Sequence, residues 1–247
     1  MAVKKKITER YQKAVICLAH VAFLCGLIIV PLKAEACGWF GENKYDDDES
    51  VLAETEVNPV VVENGMIIDP ETQTREGNLY REGKNVARDY VKAVHWYRKA
   101  ANQGFVGAQN NLAVMYEQGL GVTKNKSEAA RWYLTAAEQD NANAQHSIGR
   151  MYRDGEGVPR NLEEAAKWIS KAAEQSHQGA FRDMGEMYWK GLGVSQSNIL
   201  AYMWWCLGTL HGDKESERLL DIAAAKMKSS QVAEAQELSQ EWMQKHE

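Results

Sequence analysis

Residues 144–176 read AQHSIGRMYRDGEGVPRNLEEAAKWISKAAEQS, and this stretch decides the fold because its pattern occurs four times. Tyr152 stands in a column with Tyr80, Tyr116 and Tyr188, and Trp168 in one with Trp96, Trp132 and Trp204, each member 36 residues from the next. Gly155 recurs as Gly83, Gly119 and Gly191, Val158 as Val86, Val122 and Val194, and Ala165 as Ala93, Ala129 and Ala201. A fixed period of this length is the signature of a stacked repeat architecture, in which each unit buries its apolar face against its neighbours. The recurrence therefore predicts that the Tyr and Trp columns form core between repeats and not a stacking platform for bases or sugars.

The physics of one copy is legible. In the second, Ala108, Leu112 and Tyr116 lie four apart, on one face of a helix. Ala113 sits beside them, with Gly77, Gly149 and Gly185 in its column, so a partner helix can come close. Gly119-Leu120-Gly121-Val122 ends that helix, since glycine accepts the left-handed cap. Asp89, Asn125, Asn161 and Ser197 form the next column, and all are favoured helix N-caps. Asn125 with Glu128, and Asn161 with Glu164, have the spacing of a capping box. The second helix presents Ala129, Trp132, Tyr133, Ala136 and Ala137 as a stripe.

This pattern resembles the Sel1-like repeat family, relatives of tetratricopeptide repeats. Ala144…Ile148-Gly149…Tyr152…Gly155…Gly157-Val158 matches the first half of the family motif. Lys92-Ala93…Trp96-Tyr97…Lys99-Ala100-Ala101…Gly104 matches the second. The expected fold is all-α, an α/α superhelix (solenoid) of four 36-residue repeats at 72–104, 108–140, 144–176 and 180–212. Residues 213–247 are expected as C-terminal capping helices, with Val232, Ala235, Leu238 and Trp242 as the apolar stripe of the last. The first copy departs from the motif, with Thr72 for the leading Ala, Glu76 for Leu and Asn85 for a Gly, as suits an end that faces water.

The resemblance implies a non-catalytic scaffold or adaptor that binds another protein or peptide in its concave groove. By similarity to tetratricopeptide repeats, the groove positions lie six before, two before and one or two after each tyrosine. They read Asn78 and Arg81 in the first copy; Asn110, Val114 and Gln118 in the second; His146, Arg150 and Asp154 in the third; Arg182, Glu186, Trp189 and Lys190 in the fourth. The end nearest the C-terminus is thus expected to be basic with one aromatic, which suits an acidic peptide or a terminal carboxylate. Cysteine-rich relatives described as weak β-lactamases supply the enzyme alternative. Here the S-x-x-K, S-D-N and K-T-G signatures are absent, and so is a cysteine pair in each repeat.

Outside the repeats, residues 1–36 read as a secretory signal. Lys4, Lys5, Lys6, Arg10 and Lys13 precede the apolar run 14–30, and Ala34-Glu35-Ala36 offers a small-x-small cleavage site. The run is long enough that an uncleaved inner-membrane anchor, and with it a structural role in an envelope assembly, is the alternative. Lipidation of Cys37 is a third reading. Periplasmic or secreted localisation follows from cleavage, and membrane contact would come only through a retained segment or a lipidated Cys37. Residues 37–71 read as an acidic flexible leader: 41–56 hold seven acids against Lys44. Val60-Val61-Val62 and Met66-Ile67-Ile68 predict a short extended segment within it.

Composition narrows the chemistry. The 247 residues carry 29 basic and 34 acidic groups, a net −5, and from Cys37 onward the net charge is −9. No clustered positive charge of the kind that binds nucleic acid is present. Six histidines include no H-x-x-x-H or H-E-x-x-H pair, and Cys17, Cys25, Cys37 and Cys206 include no C-x-x-C, so neither metal nor cofactor is expected. The glycine loops lack the G-K-[ST] ending of a phosphate cradle.

Overall fold

The computed structural model describes residues 69–246 and, ahead of them, the paired strands β1 (Val62–Glu63) and β2 (Met66–Ile67). The signal, anchor and lipidation readings of residues 1–37 and the acidic run 41–56 lie outside the described residues. β1 and β2 are antiparallel, with Val62 opposite Ile67 and Glu63 opposite Met66, where the β-branched runs predicted an extended segment.

Ten helices follow among the described residues. The first helices of successive units are α1 (Pro70–Glu82), α3 (Val106–Gln118), α5 (Ala142–Asp154), α7 (Gln178–Lys190) and α9 (Lys214–Ala224), each starting 36 residues after the last. The second helices are α2 (Tyr90–Asn102), α4 (Lys126–Ala137), α6 (Leu162–Glu174) and α8 (Asn198–Leu210), and α10 (Ser229–His246) closes the chain. Each of α1 to α8 packs on the next, and α10 folds back onto α8. This is the expected solenoid. α1 begins two residues before the boundary read from the sequence, because Asp69 caps it through Thr72 N–H and Pro70 occupies the first turn, where its missing N–H costs nothing. Pro70 and Glu71 thus belong to the first repeat and not to the leader.

The expected column chemistry explains most of the geometry. Gly83, Gly119, Gly155 and Gly191 end the first helices with φ between 69° and 74°, each donating its N–H to the carbonyl four residues back. Asp89, Asn125, Asn161 and Ser197 cap the second helices through the N–H three residues on. The capping box does not close, however. The N–H of each N-cap is donated to the carbonyl of the column tyrosine, Tyr80, Tyr116, Tyr152 or Tyr188, at 2.9 Å. Glu128 and Glu164 are therefore free to pair with Arg131 and Lys167.

The small-residue column is where the two helices of a repeat touch. A Cβ on Gly77 would stand 2.6 Å from the Tyr97 ring, on Gly149 2.6 Å from Ile169, and on Gly185 2.3 Å from Trp205 Nε1. In the loop, a Cβ on Gly193 would meet the Leu162 carbonyl oxygen of the preceding repeat at 2.0 Å. Asn85 takes that left-handed position in the first repeat, at φ 62°. Among the described residues no earlier helix crowds it, and asparagine tolerates this conformation.

A glutamine ladder links successive repeats. Gln103 Nε2 donates to Gln73 Oε1 at 2.9 Å, Gln139 to Gln109 at 2.7 Å and Gln175 to Gln145 at 2.8 Å. Gln145 is fully buried, so this pairing spares it the cost of an unsatisfied amide. In the fourth repeat the pair becomes Phe181 and His211, with ring centroids 5.0 Å apart. Here α10 seals the stack: Trp242 stands edge-on to Phe181 at 5.5 Å and Trp204 at 6.1 Å. In the Trp column, Trp168 and Trp204 are buried as expected. Trp96 and Trp132 are only half-buried, with Lys99 and Arg131 against their rings.

Candidate functional site

The first-helix positions read as groove-lining divide into two groups. In the front half of the stack Asn78 and Val114 serve the fold. Asn78 accepts from the Tyr97 hydroxyl at 2.8 Å and from Asn111 at 3.4 Å. Val114 packs against the core shared by the second and third repeats. Asn110 is half-buried, its Oδ1 without a partner among the described residues. Gln118 and Arg150 are exposed, and Arg150 makes no ion pair among the described residues.

His146 is not a groove residue but part of a buried polar clamp between α5 and α7. It is 9% exposed, and its Nε2 lies 2.9 Å from Asp183 Oδ2. A carboxylate only accepts, so Nε2 carries the proton. Arg153 Nη1 reaches the same oxygen at 3.3 Å, and Arg182 Nε comes within 3.9 Å of Oδ1. Burial pushes the Asp183 carboxyl up, but the His146 hydrogen bond and the charges of His146, Arg153 and Arg182 hold it below the usual carboxylate range. The His177 ring lies 4.5 Å from that of His146, and its Nδ1 accepts the Ala180 N–H at the start of α7. Burial first, then the charge of His146, push His177 down to about 4. Neither this group nor any other of three or more His, Cys, Asp or Glu among the described residues could hold a metal ion.

Arg182, Glu186, Trp189 and Lys190 do come together, on one wall of a cleft of about 400 Å³ between α7 and α9. Trp205 of α8 forms its floor, with the Trp189 ring 5.6 Å away and its Nε1 donating to the Arg182 carbonyl at 3.2 Å. The opposite wall belongs to α9, which offers Leu219, Ile222 and Ala223 together with Glu215 and Arg218. Ile222 is 40% exposed. Arg182 pairs across to Asp213, the N-cap of α9, at 3.4 Å, and Lys226 lies over the Trp189 ring at 5.8 Å.

The basic character expected here is largely cancelled inside the protein. Lys190 pairs with Glu186 one turn away, Arg218 with Glu215, and Arg182 with Asp213. What distinguishes the cleft is instead its apolar lining. Sequence reasoning missed the whole α9 wall, although the same offsets carried 36 residues further from Arg182, Glu186 and Lys190 give Arg218, Ile222 and Lys226. At the column holding Asn111, Ser147 and Asp183, α9 places Leu219.

Comparison with known proteins agrees with this architecture. Residues 70–105, 106–141, 142–177 and 182–213 each match the Sel1 repeat, over half of the chain, and the protein belongs to the Sel1 repeat family. Among solved structures, it is similar to a Sel1 repeat protein from Oxalobacter formigenes, at 39% identity and a TM-score of 0.58, over 61% of this chain and 62% of that one. It is also similar to c5321, described as a protective antigen of uropathogenic Escherichia coli with an SLR fold. That match has 29% identity and a TM-score of 0.47, over 72% of this chain and 46% of that one. The chain therefore spans less than two thirds of the length of either. No curated protein matches it. Sel1 repeat proteins are typically scaffolds for protein–protein interaction.

Proposed function

We propose that this protein is a non-catalytic adaptor of the bacterial periplasm or envelope that binds another protein through the inner face of its first helices, at the end nearest the C-terminus. The α7–α9 cleft carries this reading. Isoleucine and tryptophan are left half-open there, and the closing helix α10 packs on α8. Exposed apolar lining with charged edges is the anatomy of a recognition surface. The export signal read in residues 1–36 supports the compartment.

Site-specific photo-crosslinking in envelope extracts tests this. A crosslinker at Glu186, on the inner wall, should capture a defined protein, and one at Glu163, exposed on α6, should not. Equal capture at both positions, or capture at Glu163 alone, overturns the reading. Hydrolysis of nitrocefin by the purified chain would favour the hydrolase alternative. Fractionation of the full chain checks the compartment.

A further inference from the structure

We infer that the α7–α9 cleft is a socket for one large apolar side chain of a partner polypeptide, and that a carboxylate beside that side chain is held by Lys226. This rests on the interaction reading above and specifies what is recognised.

The shape argues for a single side chain. A groove that takes a helix or a strand lengthwise runs open at both ends. This cleft is bridged from α7 to α9 by Arg182 and Asp213, and Lys226 lies over the Trp189 ring on its wall. Its volume of about 400 Å³ accommodates an indole or a leucine side chain with room for the flanking backbone. The lining chemistry fits the same occupant. Trp189 and the buried Trp205 line it with Ile222 and with Leu219, which stands where earlier repeats place Arg75, Asn111, Ser147 and Asp183. A desolvated pocket of aromatic and aliphatic residues is where binding energy concentrates.

The charge argument selects the neighbour of the anchor. Arg182, Lys190 and Arg218 each have a carboxylate partner within the protein. Lys226 lies over the ring of Trp189, a lining residue, and has no carboxylate partner among the described residues. A carboxylate arriving there gains a charge-assisted bond without breaking an existing one. An added cation would find Asp213, Glu186 and Glu215 already paired and would be repelled by Lys226.

Fluorescein-labelled heptapeptides Gly-Ser-Asp-Trp-Asp-Ser-Gly, its Ala-for-Trp counterpart and its Lys-for-Asp counterpart, titrated by anisotropy against the full chain, test the socket. The Asp-Trp-Asp peptide should bind saturably, and the other two about tenfold or more weakly. Ile222→Asp should abolish binding of the first peptide. Lys226→Glu should reverse the preference between the Asp- and Lys-flanked peptides. Both side chains are exposed, so neither change should alter the thermal melt. No saturable binding of the Asp-Trp-Asp peptide, equal binding of the Ala peptide, indifference to Ile222→Asp or an unreversed charge preference each overturns the socket. Crosslinking from Glu186 in the Ile222→Asp chain separates the two levels. If the peptides fail but a specific protein is still captured, the socket alone falls; if capture is also absent in the unaltered chain, the interaction reading falls with it.

Discussion

The imidazole Nε2 of His146 on α5 stands 2.9 Å from the carboxylate Oδ2 of Asp183 on α7, one repeat period plus one residue further along the chain. The pair joins consecutive first helices of the solenoid, which elsewhere meet mainly through the second helix between them. Removing one member of a buried pair leaves the other charged or polar group without a partner, and such changes cost ~3–5 kcal/mol. Asp183→Ala should approach that range, because it strands the buried His146 and leaves Arg153 with Asp154 alone. His146→Ala should cost less, about 1–3 kcal/mol, since Arg153 remains 3.3 Å from Asp183. Denaturant melts of the two variants give the order, and a reversed order would show that the carboxylate is not the hub.

His177 should make stability depend on mildly acidic pH. Its folded pKa lies at about 4, below the ordinary 6.5, so the unfolded chain takes up the proton first. Stability should therefore fall as pH drops from about 6.5 towards 4 and level off below. Protonation also removes the Nδ1 lone pair that caps α7 through Ala180. The depressed carboxyl of Asp183 adds a separate loss at lower pH, as it protonates. His177→Asn keeps a cap, as Asn141 does for α5, and should flatten the slope between pH 6.5 and 4 in a series of thermal melts. An unchanged slope would assign the titration elsewhere.

The tryptophan column should divide by burial. Trp168, 6% exposed, fills the core between the second and third repeats, so Trp168→Ala should cost ~3–5 kcal/mol. Trp96 is half-buried beneath Lys99, and Trp96→Ala should cost less than half as much. Urea midpoints for both variants decide it.

Gly185→Ala should destabilise by ~1–3 kcal/mol through overpacking, since the new methyl would press on Trp205 Nε1 from 2.3 Å. Because Trp205 floors the cleft, the same variant should weaken Asp-Trp-Asp peptide binding, a linkage that calorimetry and anisotropy together can measure.

The repeat fold was legible because its determinants share a period: caps, glycines and aromatics recur at 36, and comparing columns reveals them. The contacts that build the site do not share it. His146 finds Asp183 at a separation of 37, and Arg182 finds Asp213 at 31. Even the glutamine ladder, whose members do recur every 36 residues, is bonded at a separation of 30. A column comparison therefore placed His146 on the inner surface but could not see the carboxylate that buries it. The α9 wall escaped for another reason. Ala224 replaces tyrosine in the marker column, which made the helix read as a cap when its inner face still follows the repeat.

The tryptophans are distributed unevenly along the stack. Trp189, Trp204, Trp205 and Trp242 gather around α7, α8 and α10, whereas Trp96, Trp132 and Trp168 stand one to a repeat. Intrinsic fluorescence is thus weighted towards one end of the molecule, while circular dichroism samples every helix alike. In a solenoid whose units contact only their neighbours, the ends can unravel separately. The two signals need not change together on heating, and the gap between them would report which end lets go first.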